Sequence, residues 1–374
     1  MIKISQPHIP APSFDAIHRV LHSGYLVQGP YGQEVEQTLS RLLHHQHAIL
    51  TSSGTAALHL ALLALNIGDQ DAVLVPNMTF PATINVVHTV GARAVLVDVH
   101  PHSYVMTIET IQQAIDHYKG SQALKAIMVV HEFGYPADMP AIMEIARRNH
   151  LLVIEDAACA LSAHIQDKQV GTWGDIGCFS FHPRKIVTCG EGGLLTCQDD
   201  ALAQRVLRLK NHGIQRDDQG VHFVEAGLNY RLSDLHASLL LPQLQRLAGW
   251  VEKRRQLAQM YLNALAPLQQ QGLLSLPATA EGHVWQSFVI CLASSFQASD
   301  VIKKLRQLEI ESNCGAQILS TLPSVIQQVD FELQHLSSHH VLHEKTIALP
   351  FCEQYDQQII DRVVCALQDV LSHK

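Results

Sequence analysis

Between Gln33 and Asp199, short runs of apolar residues alternate with longer segments in which apolar positions recur every three or four residues. The short runs predict strands at His47–Thr51, Ala72–Pro76, Ala94–Val97, Ala126–Val130, Leu151–Ile154, Gly177–Phe181 and Gly193–Thr196. The periodic segments predict helices at Thr55–Leu65, Pro81–Val90, Ile108–His117 and Met139–Asn149. Strands that alternate with helices imply a parallel sheet covered on its faces, so this region reads as an α/β domain.

The pattern then changes. A helical stretch over Ser233–Leu265 leads through a loop, Ser275–His283, to a strand at Ser287–Cys291, a helix at Ala298–Gln307 and a last helix at Gln357–Leu371. The expected division is a large domain over residues 1–245 and a smaller C-terminal α/β domain over 246–374, with the N-terminal segment able to pack on the smaller one.

Composition removes several classes of function. With 47% hydrophobic and 16% charged residues among 374, the chain has ample apolar surface to bury and no signature of disorder. A net charge of −8 gives no basic footprint for nucleic acid. The start, "MIKISQPHIPAP", does not read as a secretory signal, and the greasiest run, Ala56–Ile67, is interrupted by His59 and too short to span a membrane. The eight cysteines contain no CxxC pair, which suits reduced thiols in a cytoplasmic protein. The histidine clusters "HHQH" and "SSHHVLH" lack ligand spacing with cysteine or carboxylate, so no metal is expected.

In open α/β sheets, ligands sit beyond the carboxyl ends of the strands. Three such ends carry candidate chemistry. In "FSFHPRKIVTCGEGG" (residues 179–193), Lys185 lies between an aromatic strand and Gly190, Gly192 and Gly193, which permit a sharp turn and a close approach. In "SSGTAAL", after the first strand, Gly54 and Thr55 open a helix whose free amides and dipole suit a phosphate; a plain N-cap is the alternative. In "EDAACA", Asp156 stands at the sheet rim and calls for a cation, either a structural Arg or a protonated ring nitrogen.

Together, an amine, an acid and a phosphate seat suit pyridoxal 5'-phosphate (PLP), whose aldehyde, ring nitrogen and phosphate need those three partners. Phe80, in "PNMTFPAT", suits the face of the ring, or else core packing. Ser180 suits the phosphate, or else is a plain strand hydroxyl.

Seven segments, "GYLVQGPYGQEVE", "TSSGTAALHLAL", "VPNMTFPAT", "VVHEFGYPADM", "VIEDAACA", "FSFHPRKIVTCGEGG" and "GLNYRLSDLHASL", resemble in order and spacing those of the DegT/StrS-like sugar-nucleotide aminotransferases, which are PLP enzymes of fold type I. The resemblance covers nearly the whole chain. It implies a large domain with a mostly parallel seven-stranded sheet, Lys185 as the catalytic residue that carries the cofactor, Asp156 against its ring nitrogen, and Thr55, Ala56 and Ser180 around its phosphate. It further implies a homodimer in which Asn229, of "GLNYR", reaches the cofactor of the neighbouring subunit. The implied reaction moves an amino group from an amino acid, L-glutamate, to a 4-keto or 3-keto sugar nucleotide. Lys185 would then move the substrate proton.

The chain departs from the family's pattern at two positions. Cys159 stands where Gln or His usually meets the cofactor's phenolic oxygen, and Ser162 replaces a common glycine. "SNCGAQ" (Ser312–Gln317) occupies a region that often touches the sugar nucleotide. Two rival readings are a PLP-dependent sugar dehydratase, whose lysine position is typically His, and a non-catalytic PLP-binding regulator.

Overall fold

The computed structural model describes residues 1–326, 329–330 and 336–372. All seven expected strands form: β1 (His47–Thr51), β2 (Asp71–Pro76), β3 (Arg93–Val97), β4 (Ala123–Val130), β5 (Leu152–Asp156), β6 (Ile176–Ser180) and β7 (Gly193–Cys197). They lie side by side in the order β1-β7-β6-β5-β4-β2-β3, and a two-residue strand, Val329–Asp330, extends the β3 edge in parallel. Only β7 runs against its neighbours; the remaining pairs are parallel.

Burial on both faces explains why these strands read as continuous apolar runs. On β2, Val73 and Val75 face one core while Ala72 and Leu74 face the other; on β4, Met128 and Val129 divide in the same way. The first core is closed by the helices Gly54–Ala64, Ala82–Thr89 and Asp200–Leu209, the second by Ile108–His117 and Met139–Arg148. Helix Gly54–Ala64 is apolar nearly all round because it is enclosed nearly all round, with Leu60, Ala61 and Leu62 fully buried.

The expected helix Ser233–Leu265 is two helices, Asp234–Leu244 and Leu247–Gln270. The break follows Gln243, whose buried side chain is tied to both backbone groups of Thr188, a distant anchor that no local periodicity reveals. The second helix starts against the large sheet's flank through Trp250 and Val251, then enters a separate core through Leu257, Tyr261 and Leu265. There it meets a three-stranded antiparallel sheet of Leu274–Ser275, Phe288–Leu292 and Thr346–Leu349, and the N-terminal Ile2 joins the same core. The C-terminal half also returns to the segment just after β2, where Gln317–Ile318 pairs with Met78–Thr79 in a separate two-stranded sheet.

Register decides which residues meet. Val130 lies beside Asp156 across β4 and β5, and Ser180 and Thr51 both pair with Gly193. The carboxyl ends of β4, β5 and β6 therefore open together, next to the start of helix Gly54–Ala64.

Candidate active site

The loop after β6 is fixed at several points. Lys185 N–H donates to His182 O (2.8 Å), Cys189 N–H to Phe181 O (3.1 Å) and Phe181 N–H to Gly192 O (2.8 Å). Gln286 grips the residues on either side of Lys185, donating to Arg184 O (2.5 Å) and accepting from Ile186 N–H (3.2 Å). Gly190 turns in the left-handed region, φ +85°. The close approach permitted at Gly193 is to the protein's own backbone, since a Cβ there would lie 2.3 Å from Ser53 O.

So held, the Lys185 amine reaches into a cavity of about 440 Å³ that is also lined by Gly54, Thr55, Phe80, Asp156, Cys159 and Ser180. Its Nζ donates to Cys159 Sγ across 3.0 Å. Burial pushes the amine's pKa down, but Cys159, Glu132 and Asp156 outweigh burial and hold it above the ordinary lysine value. Burial pushes the Cys159 thiol up against the opposing charge of Lys185, so the sulfur is a neutral thiol near pH 7.

Asp156, the last residue of β5, accepts from Thr83 Oγ1 (2.9 Å) and from Ala158 N–H (3.1 Å). Burial raises its pKa, while these hydrogen bonds and Lys185 pull the other way. The preceding residue, Glu155, points elsewhere. It is consumed by His131 Nε2 (3.0 Å) and the amides of Gly171, Trp173 and Gly174.

The helix start is capped, as the plain alternative had it: Ser53 Oγ accepts from Ala56 N–H (3.0 Å). Ala56 is thereby committed to the cap and does not line the cavity, whereas Gly54 and Thr55 do. Gly54 lets the helix end sit against β6, since a Cβ there would lie 2.9 Å from Ser180 Cβ. Phe80 is 69% exposed on the cavity wall, so core packing is not its role. Asn229 lies outside this cavity, exposed and bridged to Asn211.

Ser162 adopts φ +71°, a left-handed conformation that glycine takes without cost. From "SNCGAQ", Asn313, Gly315 and Ala316 line the same cavity. One group was not anticipated. Glu132, buried in the turn after β4, faces Lys185 and Asp156, and burial pushes its carboxyl up to about 7 against the pull of Lys185. Its position one residue past an apolar strand and His131 is the signal that located Asp156, and the same rule points to Glu132.

A sequence model of the DegT/DnrJ/EryC1/StrS aminotransferase family matches residues 7–368. The chain belongs to this family. A family member from Brucella abortus is 29% identical and superposes with a TM-score of 0.87, covering 96% of this chain and 95% of that one. An aminotransferase from Psychrobacter cryohalolentis is 27% identical, with a TM-score of 0.88 and 98% of each chain covered. NtdA from Bacillus subtilis, solved with its cofactor PMP bound, is 28% identical, with a TM-score of 0.87 over 100% of this chain and 86% of that one. The fold is that of PLP-dependent aminotransferases, as the family resemblance implied.

Proposed function

We propose that the cavity holds PLP on Lys185 and that the protein moves an amino group from an amino acid, L-glutamate, to a keto-sugar nucleotide. The observation that carries this reading is the Lys185 amine and the Asp156 carboxyl facing one cavity beside a helix N-terminus. The chemistry of these groups fits the cofactor: a lysine for the aldehyde, an acid for the ring nitrogen, Phe80 for the ring face, and Gly54, Thr55 and Ser180 for the phosphate. When bound, PLP supplies an electron sink for the bond broken at the substrate carbon.

In this reading Lys185 Nζ takes the proton from the donor's carbon and later returns one at the acceptor's carbon. Asp156 holds the ring nitrogen protonated, and the Gln286 clamp keeps the lysine loop in place. Cys159 meets the phenolic oxygen side of the ring with a thiol, a weak hydrogen-bond partner. Asn313, Gly315 and Ala316 contact the sugar nucleotide.

The proposal includes a cytoplasmic homodimer. Tyr25, Val27, Phe223 and Val224 are exposed apolar side chains that a second copy would cover, and the role of Asn229 at the partner's cofactor is carried over from the family resemblance. It also divides the chain into a large domain over residues 1–245 and a smaller one from 246 onward, supported by the separate core that starts at Leu257. The test is mass spectrometry of products after L-glutamate and a panel of nucleotide-linked 4-keto and 3-keto hexoses are supplied. An aminated sugar nucleotide with matching 2-oxoglutarate is the expected result; turnover with loss of a hydroxyl and no nitrogen transfer would replace this reading with the dehydratase.

A further inference from the structure

Arg254, on helix Leu247–Gln270, is 2% exposed and stands behind the cavity wall. Its Nη1 donates to Trp285 O and to Gln286 O, each across 3.2 Å, and its Nη2 lies 3.0 Å from Glu353 Oε2. The Glu353 side chain is 4% exposed, so both charges are enclosed. The guanidinium carbon also lies 5.5 Å from the centre of the Phe351 ring. Arg254 does not line the cavity, whereas its neighbours Gln286 and Phe351 do.

Enclosing such a pair gives little net stability, because loss of hydration offsets the attraction. What the pair does supply is direction. Successive carbonyls of an extended chain point opposite ways, so one nitrogen that holds two of them requires a bent backbone. Trp285 accordingly takes φ +53°, a conformation unfavourable for a residue with a large side chain. From the other side Gln286 N–H donates to Phe133 O (2.8 Å), so the Gln286 backbone is held on both flanks. Its carboxamide then spans Lys185: Nε2 donates to Arg184 O (2.5 Å) and Oε1 accepts from Ile186 N–H (3.2 Å). Another outside tether, Gln243, holds Thr188 further along the loop.

We propose that Arg254 is a positioning residue for Lys185, acting through Gln286. It fixes the Gln286 backbone so that the carboxamide grips the loop after β6 on either side of the lysine, and the amine stays aimed into the cavity. Glu353 is the counter-charge that keeps the guanidinium turned toward the two carbonyls. A cation on helix Leu247–Gln270 and a carboxylate from the C-terminal segment thus set a loop of the large sheet. What the amine does once placed rests on the PLP reading; its placement does not.

The test is hydrogen–deuterium exchange at the Ile186 amide, read by mass spectrometry with single-residue fragmentation on the full chain after hydroxylamine has removed any carbonyl cofactor. The variant is Arg254→Met with Glu353→Gln, which leaves no unpaired charge behind. Exchange at Ile186 should be roughly tenfold faster than in wild type, as it should in Gln286→Ala. The amides of β7, which pair within the sheet, should exchange at the wild-type rate. Combined with Gln286→Ala, the changes at Arg254 and Glu353 should add nothing further, because fold-changes multiply only where residues act independently. An unmoved Ile186 amide, a rise shared equally by β7, or multiplied effects in the combined variant would overturn the proposal.

Should the paired variant fail to fold by circular dichroism, Arg254→Lys keeps the charge beside Glu353 but replaces the planar fork by a single nitrogen. Ile186 must then still exchange faster than in wild type, and an unmoved rate also overturns the proposal. With PLP loaded, the half-reaction with L-glutamate should slow at saturating donor while the half-saturating concentration stays unchanged, since Arg254 does not line the cavity. A change in half-saturation alone overturns the proposal. Failure of the PLP reading would show separately, as absence of a borohydride-fixed cofactor on Lys185 with the exchange result intact.

Discussion

Lys185 Nζ donates to Cys159 Sγ across 3.0 Å, and this contact joins the loop after β6 to the turn after β5. The raised pKa of Lys185 keeps the ammonium form dominant through the neutral range. The nucleophile toward an aldehyde is the free amine, so the rate of PLP attachment to the cofactor-free chain should rise about tenfold per pH unit there. Cys159→Ala removes the sulfur that accepts from the ammonium, a contact that favours the charged form, and should speed attachment at neutral pH. Stopped-flow absorbance reads both, and a rate independent of pH would contradict the assignment.

Gly54→Ala tests the phosphate seat. The added Cβ, 2.9 Å from Ser180 Cβ and 3.3 Å from Phe179 O, must push the helix start away from β6. A local shift of this kind costs about 1–3 kcal/mol. Fluorescence titration should show PLP affinity weakened by roughly ten- to a hundredfold, with affinity for pyridoxal, which lacks the phosphate, much less affected. Equal losses for both would mean that Gly54 does not serve the phosphate.

The sheet was legible because its strands are buried on both faces. Uniform apolar runs such as "AVLV" mark β3 without ambiguity, and each expected strand falls within two residues of its observed ends except at the start of β4. Pairings between distant short segments were not legible. Two residues at Gln317–Ile318 or Val329–Asp330 carry no periodicity, and their partners are set by tertiary contact. Among site residues, Lys185, Asp156 and Phe80 could be found at strand ends. Gln286 could not, because its role is to hold a loop about a hundred residues earlier, through a side chain that looks ordinary in sequence. Asn229 was reached through family resemblance alone, and its exposure in a single chain gives no local signal.

Glu132 also predicts a pH dependence of stability. Its folded pKa, about 7, lies above its ordinary value of 4.5, so the native chain binds more protons than the unfolded chain between these values. Stability from the neutral acid is full below 4.5 and is lost as pH rises through 7. The loss for the cofactor-free chain is on the order of 3 kcal/mol. Glu132→Gln carries no ionisable group there, so its melting temperature relative to wild type should climb as pH rises from 5 to 8. A constant difference across that range would contradict a buried, titrating Glu132.

Mixed dimers test the shared site. Lys185→Ala and Asn229→Asp should each be nearly inactive, the second because a carboxylate faces the partner's cofactor phosphate. If Asn229 serves the other subunit, one site of each mixed dimer has both residues intact, and refolding equal amounts together should restore roughly a quarter of wild-type activity. No recovery, with subunit exchange verified by native mass spectrometry, would place Asn229 within its own chain's site.

The central claim is that Lys185 carries the cofactor. Borohydride reduction of the chain loaded with PLP, followed by proteolysis and peptide mass spectrometry, reads this directly. The account predicts a single pyridoxyl-phosphate adduct on the peptide containing Lys185 and its loss in Lys185→Ala. An adduct on the other enclosed lysine, Lys210, whose amine donates to Leu50 O across 3.0 Å, or no fixed adduct at all, would contradict it.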